Sequence, residues 1–230
     1  MDMTNIKLTV DAVVFGYEDG LVSVLLVKRK YEPYQGAWAL PGGFVKSEES
    51  LESAVQRELQ EETGVKINYL EQLYTFGEPT RDPRGRVVSV AYFGLIRPDA
   101  FRIAADTDAE EVQWFDINDL PNIAFDHAKV LLTAISRLQG KMIYEPIGFE
   151  LLDQKFSFSD LEKLYSSLLG VELDRRNFRK KIQSFGILDE LNETASKSTG
   201  RPAKLFQFNQ KRYFELKKEG ILFDIKSINK

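Results

Sequence analysis

Three carboxylates crowd the end of one helix-like run. In "ESLESAVQRELQEETGV", residues 49–65, Glu58, Glu61 and Glu62 fall in the last turns before Gly64. The backbone carbonyls at a helix C-terminus already make the local field negative, so Glu61 and Glu62 oppose the dipole. Glu58 and Glu62 also repel each other at i,i+4, and each effect costs a few tenths of a kcal/mol or more. A charge run is ordinarily a solvated face, but the projection argues otherwise. With Leu51 at zero, Val55 falls at about 40°, Leu59 at about 80°, Glu58 at about −20° and Glu62 at about 20°. The acids share a meridian with the apolar stripe, and a bound divalent cation would reverse all three penalties. With no cysteine and one histidine in 230 residues, cysteine and histidine-rich metal sites are excluded. The remaining oxygen donors suit Mg²⁺, Mn²⁺ or Ca²⁺.

A second concentration of chemistry is basic. "DRRNFRKKIQSFG" places Arg175, Arg176, Asn177, Arg179, Lys180 and Lys181 within seven residues, while Phe178, Ile182 and Phe185 hold an apolar side at i, i+4, i+7. The bland reading is a solvated amphipathic helix. The nearby tip "TASKSTGRP" and the strand after it carry Lys197, Arg201 and Lys204. A basic wing beside such a helix favours phosphate contacts and base-edge readout in a DNA major groove. Between the two concentrations, "GEPTRDPRGRVVSVAYF" sets Arg81, Arg84 and Arg86 around a Pro-Gly turn, either as a basic hairpin tip or as bidentate phosphate ligands.

The elements that must position these groups follow from patterning. "KLTVDAVVFGY" and "VSVLLVKRKY" are β-branched runs around the hairpin signal "EDGL", and "RVVSVAYFGLI" is a third strand. The carboxylate run is a helix of about four turns, with Ser47 or Ser50 as N-cap and Gly64 as C′ residue. Another helix follows "LPNIAFDH". Beyond "GKMIYEPIGFELL", "SDLEKLYSSLLG" has Leu161, Leu164, Tyr165, Leu168 and Leu169 at helical spacing, with Ser159 as cap and Gly170 as stop. The basic helix and the strands "ILDELNE" and "AKLFQFN" come next. Helix, turn, basic helix and hairpin is the order of a winged helix-turn-helix. The expected domains are 1–146, mixed α/β, and 147–230. Residues 1–147 carry 15 Lys and Arg against 23 Asp and Glu, and residues 148–230 carry 16 against 12, so the modules suit different partners. A 43% hydrophobic, 29% charged composition, no apolar run of membrane-spanning length and no signal-peptide pattern lead to the expectation of a cytoplasmic protein without a membrane partner.

The carboxylate run resembles the Nudix box. Gly43, Glu49, Arg57-Glu58-Leu59, Glu61-Glu62 and Gly64-Val65 match its nine specified positions over 23 residues. The resemblance implies an α/β/α sandwich with a mixed sheet. It implies Mg²⁺- or Mn²⁺-dependent hydrolysis of a nucleoside diphosphate linked to another moiety. By the same resemblance Glu58, Glu61 and Glu62 ligate metal, Glu49 and Arg57 orient them, and the Gly43 carbonyl adds a ligand. The arginine segment and "LPNIAFDHAKVL" are similar to the corresponding stretches of ADP-ribose pyrophosphatases, implying ADP-ribose or a similar nucleotide sugar. Phe125 is a candidate for base contact. His127 is a structural hydrogen-bonding residue first and a substrate contact second, and Trp38 is core packing rather than a stacking platform.

The tail resembles the C-terminal domain of Nudix-related transcriptional regulators of NAD or sugar metabolism. That resemblance implies a homodimer on double-stranded operator DNA, released when ligand binds the Nudix domain. Many such regulators have a degraded box, whereas here every position is present, so hydrolysis of the effector is expected too. Two competitors are a housekeeping ADP-ribose pyrophosphatase with an accessory tail, and a regulator whose effector is a sugar or sugar phosphate.

Overall fold

The structure is a computed structural model that describes residues 5–67, 69–98, 109–195 and 202–225. It divides into two compact units, Met1–Arg137 and Leu138–Lys230, and the division falls inside one helix.

In the first unit, β1 (Lys7–Glu18) and β2 (Leu21–Arg29) form the expected hairpin. Its two-residue loop, Asp19 and Gly20, has φ of 50° and 90°, the double positive φ that matches the twist of paired strands. β1 runs parallel to β6 (Val87–Ile96), from Lys7 opposite Val87 to Gly16 opposite Ile96. The short β3 (Trp38–Ala39) and β4 (Gly42–Phe44), with β5 (Tyr69–Phe76) and β7 (Ala109–Asp116), pair antiparallel and complete a seven-stranded mixed sheet. The long strands β1, β2 and β6 are the three whose β-branched runs stand out. β3 and β4 are too short for any period, and β5 and β7 mix acids and amides into theirs.

Helix α1 (Leu51–Thr63) is the carboxylate run. Ser50 caps it by accepting the Ser53 N–H, and Gly64, at φ 72°, closes it with its own N–H on the Gln60 carbonyl. Ala54, Val55 and Leu59 pack against Val10, Ala12, Val14, Leu25, Val90 and Ile96 of the sheet. This apolar face sets how deep the carboxylates of the next turn sit. Helix α2 (His127–Tyr144) follows "LPNIAFDH" as expected.

In the second unit, α3 (Phe158–Leu169) packs on α4 (Arg175–Ser184), and β8 (Phe156–Ser157), β10 (Lys204–Phe208) and β9 (Leu188–Thr194) form a three-stranded sheet. The N-cap of α3 is Ser157, not the expected Ser159. Ser157 accepts the Asp160 N–H while Asp160 accepts the Ser157 N–H, a reciprocal capping box that extends the helix backwards and buries Phe158 as its first residue. Asp174 caps α4 through the N–H groups of Arg176 and Asn177. A further helix, α5 (Gln210–Lys218), is capped by Asn209. The order is that of a winged helix. Among the described residues, no helix is long and apolar enough to cross a membrane.

Candidate active site and candidate nucleic-acid interface

Arg57 organises the carboxylate helix. Its Nε and Nη2 donate to the two oxygens of Glu49 at 3.0 and 2.6 Å, and its Nη1 donates to Glu58 at 2.7 Å and Glu61 at 3.1 Å. The bidentate pair with Arg57, helped by the Lys46 N–H, pulls the Glu49 carboxyl down to about 2, and the same bonds raise Arg57. Burial pushes the Glu58 carboxyl up despite its bond to Arg57. Glu62 turns away and accepts the Gly42 N–H at 2.9 Å. The repulsion expected between Glu58 and Glu62 is thus met by separate partners.

A cavity of about 410 Å³ opens beside this helix. Gly43, Glu58 and Glu62 line it, whereas Glu49, Arg57 and Glu61 stand outside its walls. A side chain at Gly43 would overlap the Glu58 carboxyl, so the box glycine lets that carboxylate lie against backbone. Among the described residues no three carboxylates stand ready as a metal cage, because Arg57 draws Glu58 and Glu61 to itself. The donors nevertheless fit a hard divalent cation. Oxygens of Glu58 and Glu61 share one Arg57 nitrogen, and desolvation leaves Glu58 a charge that a cation would stabilise.

Asp11, Arg81 and His127, which also line the cavity, belong to a largely buried ionic cluster. Arg81 donates to both oxygens of Asp126 at 3.0 and 2.7 Å and to Asp11 at 3.3 Å, and Ser89 adds a 2.5 Å bond to Asp11. Burial alone would lower Arg81, and its two aspartates more than reverse that. His127 Nδ1 accepts the Leu40 N–H at 3.0 Å, while Nε2 lies 3.6 Å from Asp11. Burial lowers the His127 pKa and favours the neutral ring that this acceptor needs. His127 is therefore held as a hydrogen-bonding residue of the cavity wall.

Of the three arginines around the Pro-Gly turn, the structure brings two to the cavity. Arg81 forms part of its floor and Arg84 its rim. Arg84 pairs with Asp82 at 2.7 Å, its guanidinium 5.1 Å from the Phe44 ring and 5.5 Å from Phe125. Arg86 instead donates to the Gly77 carbonyl at 2.6 Å and lies outside the cavity walls. Phe125, at φ 56°, meets Tyr34 edge-on at 4.7 Å with Arg29 stacked 4.8 Å from it. Trp38 packs against Phe115, ring centres 4.7 Å apart. Asp11, Asp82 and Asp126 were not singled out from the sequence. For Asp11 the signal was present: it is the one acid inside the apolar run of β1, where a charge demands a partner.

In the second unit, Phe178 and Ile182 are fully buried, and Arg175, Arg176, Asn177, Arg179 and Lys180 are exposed. Arg176, Arg179, Lys180 and Gln183 line one shallow depression along α4. Arg179 also stacks 4.9 Å from Phe158. Asn177 is tied back to Asp174 at 3.0 Å, and Lys181 lies half-buried over Phe185. Lys204 pairs with Glu190 of the neighbouring strand. Lys197 and Arg201 lie outside the described residues.

Comparison with known proteins matches residues 6–134 to the NUDIX domain and residues 148–208 to the NrtR DNA-binding winged helix domain. The chain is 34% identical over 211 residues to the "ADPR responsive transcriptional repressor NtrR" of Acinetobacter baylyi, covering 90% of this chain and 83% of that protein. It is 42% identical over 117 residues to an ADP-ribose pyrophosphatase of Methanocaldococcus jannaschii, covering 49% of this chain and 68% of that one. Among solved structures, Shewanella oneidensis NrtR complexed with a 27mer DNA superposes with a TM-score of 0.81 at 33% identity, covering 97% of this chain and 99% of that one. Nudix enzymes generally use divalent metal ions. With an intact box on α1, a winged helix after it and relatives matched along nearly its whole length, the chain belongs to the Nudix family, in the branch that joins a Nudix domain to an NrtR-type winged-helix domain.

Proposed function

We propose that this protein is an ADP-ribose-responsive transcriptional regulator that also hydrolyses its effector. It binds operator DNA through α4 as a homodimer and binds ADP-ribose or a related nucleoside-diphosphate sugar in the cavity of the first unit. The observation that carries the reading is the pairing, in one chain, of an intact carboxylate box, of which Gly43, Glu58 and Glu62 line a cavity, with an exposed basic face on a winged helix.

In this reading Glu58, Glu61 and Glu62, with the Gly43 carbonyl, would hold Mg²⁺ or Mn²⁺, and Arg57, anchored on Glu49, would orient Glu58 and Glu61. The metal, when bound, would offset diphosphate charge and acidify a bound water. The chain's own residues fix the substrate. Arg84 and Phe125 at the rim take its polar and aromatic parts, while Arg81, His127 and Asp11 keep the wall rigid. Hydrolysis consumes one water and breaks one P–O bond of the diphosphate, giving AMP and ribose 5-phosphate. Arg176, Arg179 and Lys180 neutralise DNA phosphates, with Arg175, Asn177 and Lys181 flanking them. Release follows only if the nucleotide binds the DNA-free state more tightly.

The test is a mobility shift on DNA from the protein's own gene neighbourhood, with and without ADP-ribose and Mg²⁺, followed by analysis of the nucleotide. DNA retarded without nucleotide and released by it supports the regulator. A protein that cleaves ADP-ribose but retards no such DNA is a housekeeping hydrolase. A complex released by sugar phosphates but not by ADP-ribose overturns the choice of effector.

A further inference from the structure

Thr9 and Asp11 are alternate residues of β1 and so share one face of the sheet, and both line the cavity. Asp11 accepts from Arg81 and Ser89 on Oδ2, with His127 3.6 Å from its Oδ1. Thr9 differs: it is 6% exposed, and among the described residues its Oγ1 is buried without a hydrogen-bond partner. Burying a hydroxyl in this way costs about 1–3 kcal/mol, and native interiors seldom tolerate it without cause. Valine has nearly the same shape, and the same strand uses it at Val10, Val13 and Val14, all fully buried. A hydroxyl where a methyl would pack equally well points to a partner that arrives from outside.

The register says what that partner is. Thr9 is the cross-strand partner of Phe44, and its neighbour Val10 is that of Gly43, the glycine against which the Glu58 carboxyl lies. Thr9 therefore stands one residue from the box wall of the cavity. Lys46, Arg29 and Arg84 line this cavity beside Glu58 and Glu62, a mixed lining in which cations can meet a diphosphate once the glutamates are neutralised. Rotation about the Cα–Cβ bond exchanges the hydroxyl with the methyl, and it breaks no hydrogen bond because none is made.

We propose that the Thr9 hydroxyl donates a hydrogen bond to a non-bridging diphosphate oxygen of the bound nucleotide, making Thr9 a ligand-binding residue of the cavity. This rests on the reading that the cavity takes a nucleoside-diphosphate sugar. The experiment titrates the full chain with the non-cleavable α,β-methylene analogue of ADP-ribose in Mg²⁺, comparing wild type with Thr9→Val and Thr9→Ser. A hydrogen bond to a charged oxygen predicts roughly tenfold weaker binding by Thr9→Val. Thr9→Ser should bind within about twofold of wild type, at a melting temperature for Thr9→Val no lower than wild type, because the lost hydroxyl had no partner. One ³¹P resonance of the bound analogue should shift between wild type and Thr9→Val. Equal binding by Thr9→Val and wild type overturns the proposal, as does equal weakening by both variants. Weakened binding with both ³¹P resonances unmoved assigns the contact to the sugar and overturns it too. Failure of wild type itself to bind the analogue sinks the ligand reading instead, and so is distinguishable.

Discussion

In residues 1–137 the site guanidinium groups are tied down: Arg57 to three glutamates, Arg81 to two aspartates, Arg84 to Asp82. In α4 the guanidinium groups of Arg175, Arg176 and Arg179 stand in solvent, where Arg175 approaches Glu162 at 3.9 Å and Arg179 stacks on Phe158 and faces the same glutamate. The same side chain is used as a rigid strut in one region and as an adjustable contact in the other. A small polyanion held beside a carboxylate box needs fixed geometry. A phosphate backbone read along a helix needs charge and reach, with little preorganisation.

The contrast breaks most visibly at Arg81. Replacing it by alanine leaves the buried Asp11 and the half-buried Asp126 without a cation, which should destabilise the first unit by about 3 kcal/mol. Denaturant unfolding of the full chain should show it, and an unshifted midpoint would mean that the cluster is not the strut described. Next comes Glu62→Gln, which keeps an oxygen for the Gly42 N–H but removes a charge. It should leave unfolding unchanged while cutting ADP-ribose turnover by about a hundredfold or more. Undiminished turnover would remove Glu62 from the site.

On the exposed side, Arg176→Ala and Lys180→Ala should each move stability by no more than about 0.5 kcal/mol. Each should weaken DNA binding uniformly across sequences and reduce the salt-dependence slope by about one. An Arg176 variant that changed sequence preference would place that residue at base edges instead of phosphates.

Legibility in the sequence follows the same divide. Elements with a strong period could be read: β1, β2 and β6 from their β-branched runs, α1 from its stripe of Val55 and Leu59, α4 from Phe178 and Ile182. The box residues could be read because their spacing is local. The ionic cluster could not, since Asp11, Arg81 and Asp126 meet across gaps of 70 and 45 residues, and no local pattern encodes such a meeting. For that reason three arginines close in sequence looked equivalent, although Arg86 is spent on the Gly77 carbonyl. The cap of α3 was misplaced by two residues because Ser157 and Ser159 are equally good caps by type. The choice was made by burial of Phe158 and by Asp160, which reciprocates only with Ser157.

The buried cluster also carries a pH signature. His127 titrates below its ordinary 6.5 because burial disfavours its charged form, with Asp11, Arg81, Asp126 and Arg29 as the charges that face it. Between the depressed native value and 6.5 the unfolded chain binds a proton that the native chain does not, so stability rises with pH in that window. The contribution is complete above about 6.5 and is lost as pH falls, with a limiting slope of about 1.4 kcal/mol per pH unit. His127→Asn, which can still accept the Leu40 N–H, should flatten that slope. Melting curves across this range decide it, and a variant as pH-sensitive as wild type would assign the effect to other groups.

The smallest effect sharpens the comparison furthest. Each unit buries one hydroxyl that has no hydrogen-bond partner among the described residues, Thr9 in the first and Tyr165 in the second. Thr9 lines a charged cavity, whereas Tyr165 is wholly enclosed, its ring 5.2 Å from Phe178 on the inner side of α4. Burial alone raises the Tyr165 pKa, since no charged group answers it. No ligand reaches Tyr165, so Tyr165→Phe removes a desolvated hydroxyl and nothing else. It should leave DNA and nucleotide binding unchanged and raise stability by up to about 1 kcal/mol. A destabilised Tyr165→Phe would reveal a partner for the phenol, an enclosed water for example. The Tyr165 and Thr9 hydroxyls would then differ not in whether they are satisfied but in what satisfies them.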